Sequence, residues 1–298
     1  MRHGVNLLNF GSGTTPESLV RQATDARDLG FTFAMISDHI AVTPDVHEVY
    51  PAPFYDQFLL AAHLAGRVPG LALGTTITVI PYRHPLHTAR LAANLDQLTG
   101  GNFVLGAGVG WSAAEYRTLG IPFEERGAIT DEYLSAIRAA WTEDPCSFEG
   151  RYVSFDSVRT APAAASSPHV PVWVGGDSPA ALRRAARLGE AWHPFRPTLA
   201  ALRRQLPRLA EEAERAGRPV PRFAPRIQLA LGSVPDTEDR PLGHGSLDQI
   251  RADVATLAEL GASHVLFDTY PGDPAARGSA DDDRRVLELL ADKVLTSP

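Results

Sequence analysis

The sequence predicts an α/β fold, a (β/α)8 TIM barrel with insertions after strand 4, and three observations lead there. Short apolar runs of β-type residues alternate with amphipathic helical segments, the pattern of parallel strands joined by helical crossovers. The rhythm recurs at roughly thirty residues or slightly more and gives eight strand–helix units. The fingerprint of the competing open sheet, G-x-G-x-x-G directly after strand 1, is missing, because Gly11-Ser12-Gly13 has no later glycine at that spacing. With 298 residues, 44% of them hydrophobic, and no composition shift along the chain, residues 1–298 read as one domain with ample core.

Strand 1 is expected over residues 5–10, followed by Thr15 as cap, Pro16 at the first helical position and a helix to Leu29 closed by Gly30. Strand 2 covers 32–37, a helix 54–65, strand 3 71–80, and a helix 86–98 ended by Gly100-Gly101. Strand 4 covers 103–107. The rhythm then pauses for 111–121, a helix near 124–141, and an insert to Ala165 in which 147–155 resembles a β-hairpin around Glu149-Gly150. The small, Pro-bounded segment 162–168 reads as a surface loop. Strands 172–174, 191–193, 226–231 and 264–267 then alternate with helices 179–188, 199–216, 247–260 and 283–295.

The charge balance narrows the function. Against 35 acidic residues stand 28 Lys and Arg, a net −7 without a basic run, so nucleic acid is not an expected partner. One cysteine, Cys146, can form neither an internal disulfide nor a Cys-x-x-Cys site, which fits a reducing cytoplasm. No charged-then-apolar leader opens the chain and no run reaches about 18 apolar residues, so neither export nor a membrane partner is expected. The single lysine, Lys293, falls on the last helix, away from any barrel interior, which removes Schiff-base chemistry.

A barrel carries its site at the carboxyl ends of its strands, and the residues there are informative. They include Asn9, Asp38-His39, Thr75-Thr76-Ile77, the Gly106-x-Gly108-x-Gly110 run before Trp111, Gly175-Gly176-Asp177-Ser178, Trp192-His193, Gln228 and Asp268. Asp38-His39 ends an otherwise apolar strand and suits proton exchange; a loop cap with a packed ring explains it as well. The glycine run lets backbone approach a flat ring or an anion, or marks a bulge and tight turn. Gly175-Gly176 followed by Asp177-Ser178-Pro179 opens a helix whose N–H groups suit phosphate, unless they form only a cap. Thr75 to Val79 reads as a good strand without an assigned role. No metal is expected from His84, His87 and His193: the first two stand at a helix start around Pro85, which is more often capped than metallated, and the end of strand 1 reads Asn9-Phe10-Gly11 where metal-dependent barrels carry an H-x-H pair.

These strand ends resemble the luciferase-like monooxygenase superfamily, bacterial luciferase-like barrels using FMN or the deazaflavin coenzyme F-420, and in particular its F-420-dependent oxidoreductase branch. The resemblance covers nearly the whole chain and rests on Ser37-Asp38-His39, Leu73-Gly74-Thr75-Thr76-Ile77, Gly108-Val109-Gly110-Trp111 with Glu115, Phe148-Glu149-Gly150-Arg151-Tyr152, Val172-Trp173-Val174-Gly175-Gly176 and Gly189-Glu190-Ala191-Trp192-His193-Pro194. It implies a non-prolyl cis peptide at Thr76-Ile77 against the ring, with Thr75, Gly108 and Gly110 beside it. It also implies a phosphate site at Gly175, Gly176, Asp177 and Ser178, and His39 exchanging a proton with the substrate oxygen. Asp38 would orient His39 or bond the ring rim, and Asn9, Trp111, Trp192 and His193 would line the substrate pocket. The variable segments 43–53 and 110–165 would shape that pocket.

The chain departs from the sugar-phosphate dehydrogenase branch in having Trp111 where an acid follows the glycine turn, and in lacking that branch's lysines. The substrate implied is therefore a small apolar or aromatic metabolite. Glu115 either supplies an acid one helical turn on or is an exposed helix carboxylate. Three functions follow: hydride transfer with F-420, an FMNH2-dependent two-component monooxygenase served by a separate flavin reductase, or a non-catalytic flavin-binding homologue. An F-420 reductase is the corresponding partner of the first, and the family implies a homodimer.

Overall fold

A computed structural model describes residues 1–295; the last three positions of the predicted 1–298 domain lie outside the described residues. Eight parallel strands follow one another: β1 (Arg2–Leu7), β2 (Phe33–Ile36), β3 (Ala72–Thr75, resuming at Thr78–Val79), β4 (Phe103–Gly108), β5 (Val172–Gly175), β6 (Ala191–His193), β7 (Arg222–Phe223, resuming at Arg226–Gln228) and β8 (His264–Asp268). Each pairs in parallel with its neighbours in sequence, and β1 pairs with β8. The sheet curls until its ends meet at 222–228: the first part of β7 pairs with β6 and the second with β8. This is a mixed α/β, TIM-barrel-like architecture with helices around the sheet.

The helices are α1 (Pro16–Asp28), α2 (Pro44–Val49), α3 (Gln57–Arg67), α4 (Pro85–Leu98), α5 (Ala113–Thr118), α6 (Arg126–Thr142), α7 (Pro179–Leu188), α8 (Leu199–Arg215), α9 (Leu247–Glu259) and α10 (Ala280–Leu290). Most start at a side-chain cap: Thr15, Asp56, Ser112, Ser178, Thr198, Ser246 and Ser279 each accept a backbone N–H of the first turn. Each such cap contributes about 1 kcal/mol. None of the described helices is long and apolar enough to cross a membrane.

Strand alternation divides the apolar residues between two layers. On β2, Ala34 and Ile36 join the core between sheet and helices, while Phe33 and Met35 point inside with Trp173 and Leu266.

Several boundaries differ from those read off the sequence. Strand 1 begins and ends three residues earlier than expected, because Leu8 and Phe10 leave the sheet to pack on Tyr270. Strand 3 breaks after Thr75, and Ile80–Tyr82 forms a 3-10 turn rather than its end. Strand 7 starts before Pro225, which has no N–H for a continuous ladder, and its predicted end, Ala230–Leu231, instead pairs with His244–Gly245. Between β4 and β5 lie α5, α6 and an antiparallel hairpin, Cys146–Glu149 with Ser154–Val158. The Glu132 carboxylate holds the hairpin turn by accepting the N–H groups of Arg151, Tyr152 and Val153 at 2.7–2.9 Å.

Candidate active site

At the carboxyl ends of the strands lies a cavity of about 270 Å³. Ser37, Asp38, His39, Thr76, Ile77, Gly108, Gly110, Trp111, Gly175, Gly176 and His193 line it, joined by Tyr50, Val79, Val109, Phe195 and Arg226.

Its floor is built on glycine. The Thr76–Ile77 peptide is cis, and the Ile77 side chain turns across the ends of β4 and β5. A Cβ at Gly108 would stand 2.4 Å from Ile77 Cδ1, and one at Gly175 2.9 Å from Ile77 Cγ2. A Cβ at Gly106 would meet the Thr75 carbonyl oxygen at 1.8 Å. The glycine run therefore first makes room for this chain's own bulge. Gly106→Ala is expected to cost about 3 kcal/mol, the upper part of the overpacking range, and Gly108→Ala less, since Ile77 can rotate away. Urea unfolding measures both; a Gly106→Ala cost under about 0.5 kcal/mol would show that the strands do not meet this closely.

His39 is held by Glu115, 76 residues along the chain. His39 Nδ1 lies 2.6 Å from Glu115 Oε2. The same carboxylate accepts Ile40 N at 2.7 Å, Ala41 N at 2.9 Å and the Tyr82 hydroxyl at 2.9 Å. Glu115 is 0% exposed, so the expectation of an exposed helix carboxylate is corrected. The α5 face that carries it packs inward because Ser112 caps the helix beside the 39–41 loop. Burial alone would raise its carboxyl, but the hydrogen bond and charge of His39 and the Ala41 and Tyr82 donors hold it below its ordinary value. Burial and the Glu115 charge push the Tyr82 phenol up, so it stays a donor. With Glu115 ionised and accepting, His39 Nδ1 carries a proton, and Nε2 is left to the cavity. The imidazole is boxed by Tyr50 and Phe54 at 5.4 Å and Trp111 at 5.9 Å.

Asp38 does not orient His39. Its carboxylate takes a bidentate pair from Arg83 at 2.7 and 2.8 Å and accepts Val79 N at 2.9 Å, which ties β2 to the resumed β3. Arg83 reaches on to Asp56, the cap of α3, at 3.1 Å.

A second buried network lies under the cavity. Arg226 donates to Asp268 at 2.7 and 3.1 Å and to the Thr76 carbonyl at 3.0 Å, and Asn6 donates to Asp268 at 2.9 Å. His193 donates Nδ1–H to the Ala224 carbonyl, so Nε2 accepts from the Thr76 hydroxyl at 2.9 Å. Burial pushes its pKa down to about 4, and Arg226 adds to this, so the ring is neutral near pH 7. The unfolded chain takes up this proton near pH 6.5 and the folded chain only near 4. Stability is therefore present above 6.5 and lost as pH falls through that window, by up to roughly 3 kcal/mol. Urea unfolding at pH 7 and 4.5 should show His193→Gln losing roughly 2 kcal/mol less than the parent; equal losses would contradict the assignment.

The family profile described as luciferase-like monooxygenase matches residues 1–239. The chain belongs to the luciferase-like monooxygenase family. An uncharacterized protein of Mycobacterium tuberculosis is 31% identical over 182 residues, 57% of this chain and 62% of that one, so the match spans less than two thirds of this relative. An F-420-dependent glucose-6-phosphate dehydrogenase of Intrasporangium calvum is 32% identical over 59% of this chain and 53% of its own. An FMNH(2)-dependent dimethylsulfone monooxygenase of Pseudomonas putida is 32% identical over 37% and 31%. Among solved structures, an F-420-dependent secondary alcohol dehydrogenase covers 99% of this chain and 98% of its own with a TM-score of 0.81 at 17% identity. The monooxygenase RslO1 of Streptomyces bottropensis covers 99% of both chains at 0.80 and 21%. These two likenesses concern the fold.

In this luciferase-like chain several expected site residues lie off the cavity. Trp192 and His193 are neighbours on β6, so only one can face inward; Trp192 is buried on the helix side, its indole donating to the Gly176 carbonyl at 2.7 Å. Asn9 spends its amide on the Ser37 and Tyr55 carbonyls at 3.0 and 2.7 Å. Thr75 donates to the Gly106 carbonyl at 2.9 Å, on the face opposite Gly74. Ser178 caps α7 by accepting Ala181 N at 3.2 Å, while the Asp177 carbonyl accepts Gln205; neither lines the cavity. His84 caps α4 through Leu86 N. Sequence reasoning gave no role to Arg226, Tyr82 or Arg83. The signal available for Arg226 was a charged residue inside a predicted strand, beside Ile227.

Proposed function

We propose that the cavity takes the ring of a flavin or deazaflavin, and that the chain, a single closed (β/α)8 domain, transfers hydride between F-420 and a small apolar or aromatic metabolite. One observation carries the reading: His39, fixed by a buried carboxylate, borders a flat, apolar floor. Ile77 and Val79, with Gly108, Gly110, Gly175 and Gly176 free of side chains, fit a planar ring, while Ser37, His39 and Thr76 offer polar atoms at its edge. Gly175, Gly176 and the Asp177-Ser178 turn at the start of α7 would hold the phosphate through backbone N–H groups, since the Ser178 hydroxyl already caps the helix.

Bound F-420 supplies a carbon centre that exchanges hydride. The chain's own residues do the rest. Glu115 keeps Nδ1 of His39 protonated and aims the ring, so Nε2 gives or takes the proton of a substrate oxygen. Trp111 and Phe195, 47% and 41% exposed, make an aromatic mouth for an apolar substrate. Neutral His193 and the Arg226–Asp268 pair hold Thr76 and do not exchange protons with substrate. A homodimer in the cytoplasm, with an F-420 reductase supplying reduced cofactor, completes the proposal.

The Pseudomonas putida relative supports a second reading, an FMNH2-dependent oxygenase with a separate flavin reductase. Oxygen uptake separates the two. Change in the F-420 absorbance with candidate metabolites and no oxygen uptake supports hydride transfer. Oxygen uptake with reduced FMN above the enzyme-free rate, with an oxygen atom appearing in the product, would overturn it. Tight binding with no turnover, and no effect of His39→Ala, would mark a non-catalytic homologue.

A further inference from the structure

The opposite end of the sheet holds a second cavity, of about 210 Å³, ringed by the first residues of the strands. Its wall is aromatic. Trp173 meets His264 at 4.8 Å and Phe33 at 5.8 Å between ring centroids, and Met35 and Val104 fill in beside them. A barrel interior is ordinarily packed with side-chain layers, so an open space at this end is a departure. Trp173 is 5% exposed; its indole N–H makes no hydrogen bond among the described residues and is not itself fully buried.

Two arginines stand at the rim. Arg222 makes no side-chain hydrogen bond, Arg2 touches only Thr32 Oγ1 at 3.4 Å, and neither meets a carboxylate among the described residues. Both sit close to His264, whose pKa is pushed down to about 4 by burial and then by Arg2 and Arg222. Unpaired guanidinium groups over an aromatic-walled cavity match a planar anion, since a carboxylate takes two N–H donors and a ring stacks on indole.

We propose that this end of the barrel is a second ligand site, taking a small aromatic monocarboxylate whose ring lies against Trp173 and Phe33 and whose carboxylate meets Arg2 and Arg222. The site shares no residue with the candidate active site, so its failure would leave the hydride-transfer reading untouched.

Thermal unfolding of the full chain tests it, with benzoate, the neutral benzamide and inorganic phosphate as probes. Benzoate is expected to raise Tm by about 2–5 °C, with benzamide and phosphate raising it less than half as far. Arg2 and Arg222 are exposed, so the Arg2→Gln, Arg222→Gln double variant should keep its fold and lose the shift. Ala72→Leu, which narrows the cavity without touching charge, should lose it too. Four results would overturn the proposal: no benzoate shift, an equal shift with benzamide, an equal shift with phosphate, or a full shift in the double variant.

Discussion

Replacing His39 with alanine should lower turnover by about 100- to 10,000-fold while cofactor affinity changes by only a few-fold, because the imidazole handles the proton and the floor binds the ring. Glu115→Gln separates positioning from fold. The amide keeps one oxygen for Ile40 N and Ala41 N, but its NH2 stands where Oε2 accepted from His39 and Tyr82 and can accept from neither, so Nδ1 loses its anionic partner. Turnover should fall while cofactor affinity changes by only a few-fold, since the imidazole loses the partner that fixes its tautomer and its aim. A merely structural glutamate would leave turnover per folded molecule unchanged in Glu115→Gln. Glu115→Ala should also destabilise, because it strands the buried Tyr82 hydroxyl and two backbone donors, each costing about 1–3 kcal/mol.

Arg83→Met should be among the most damaging single substitutions in the chain. It removes both guanidinium bonds from Asp38, a side chain 1% exposed, and leaves a buried carboxylate whose remaining donor is Val79 N. Breaking a buried pair from one side costs about 3–5 kcal/mol. Arg83→Met with Asp38→Asn should recover part of that loss, since no uncompensated charge remains. Chemical denaturation of the single and double variants measures the difference. Equal stability of Arg83→Met and the parent would show that Asp38 is free to act elsewhere, as the expectation from the strand-end pattern had it.

The parts of the molecule legible in the sequence are those decided locally. Thr15 before Pro16, Ser178 before Pro179 and the apolar 103–107 run declare caps and strands through neighbours a few residues away. Strand parity is equally local, and it puts Trp192 and His193, adjacent on β6, on opposite faces. What could not be read is partnership across the barrel. His39 and Glu115 are 76 residues apart, Asp38 and Arg83 45, and Arg226 and Asp268 42. Each pairing depends on which strands end side by side, and the charged residue carries no mark of its partner. The glycines show the same limit. Gly106, Gly108 and Gly175 were visible as gaps, but only the path of Ile77 tells that the gap is taken by the chain's own side chain.

Direct titration of the purified chain with F-420 and with FMN, oxidised and reduced, followed by fluorescence of its four tryptophans, decides whether the cavity holds a flavin-type ring. Trp111 stands at the cavity mouth and should report occupancy. Saturable binding of F-420 with Kd below about 1 μM is expected, with FMN weaker and both weakened when Gly175→Leu forces a side chain onto the floor. Binding of neither cofactor, or binding that Gly175→Leu leaves unchanged, would contradict it.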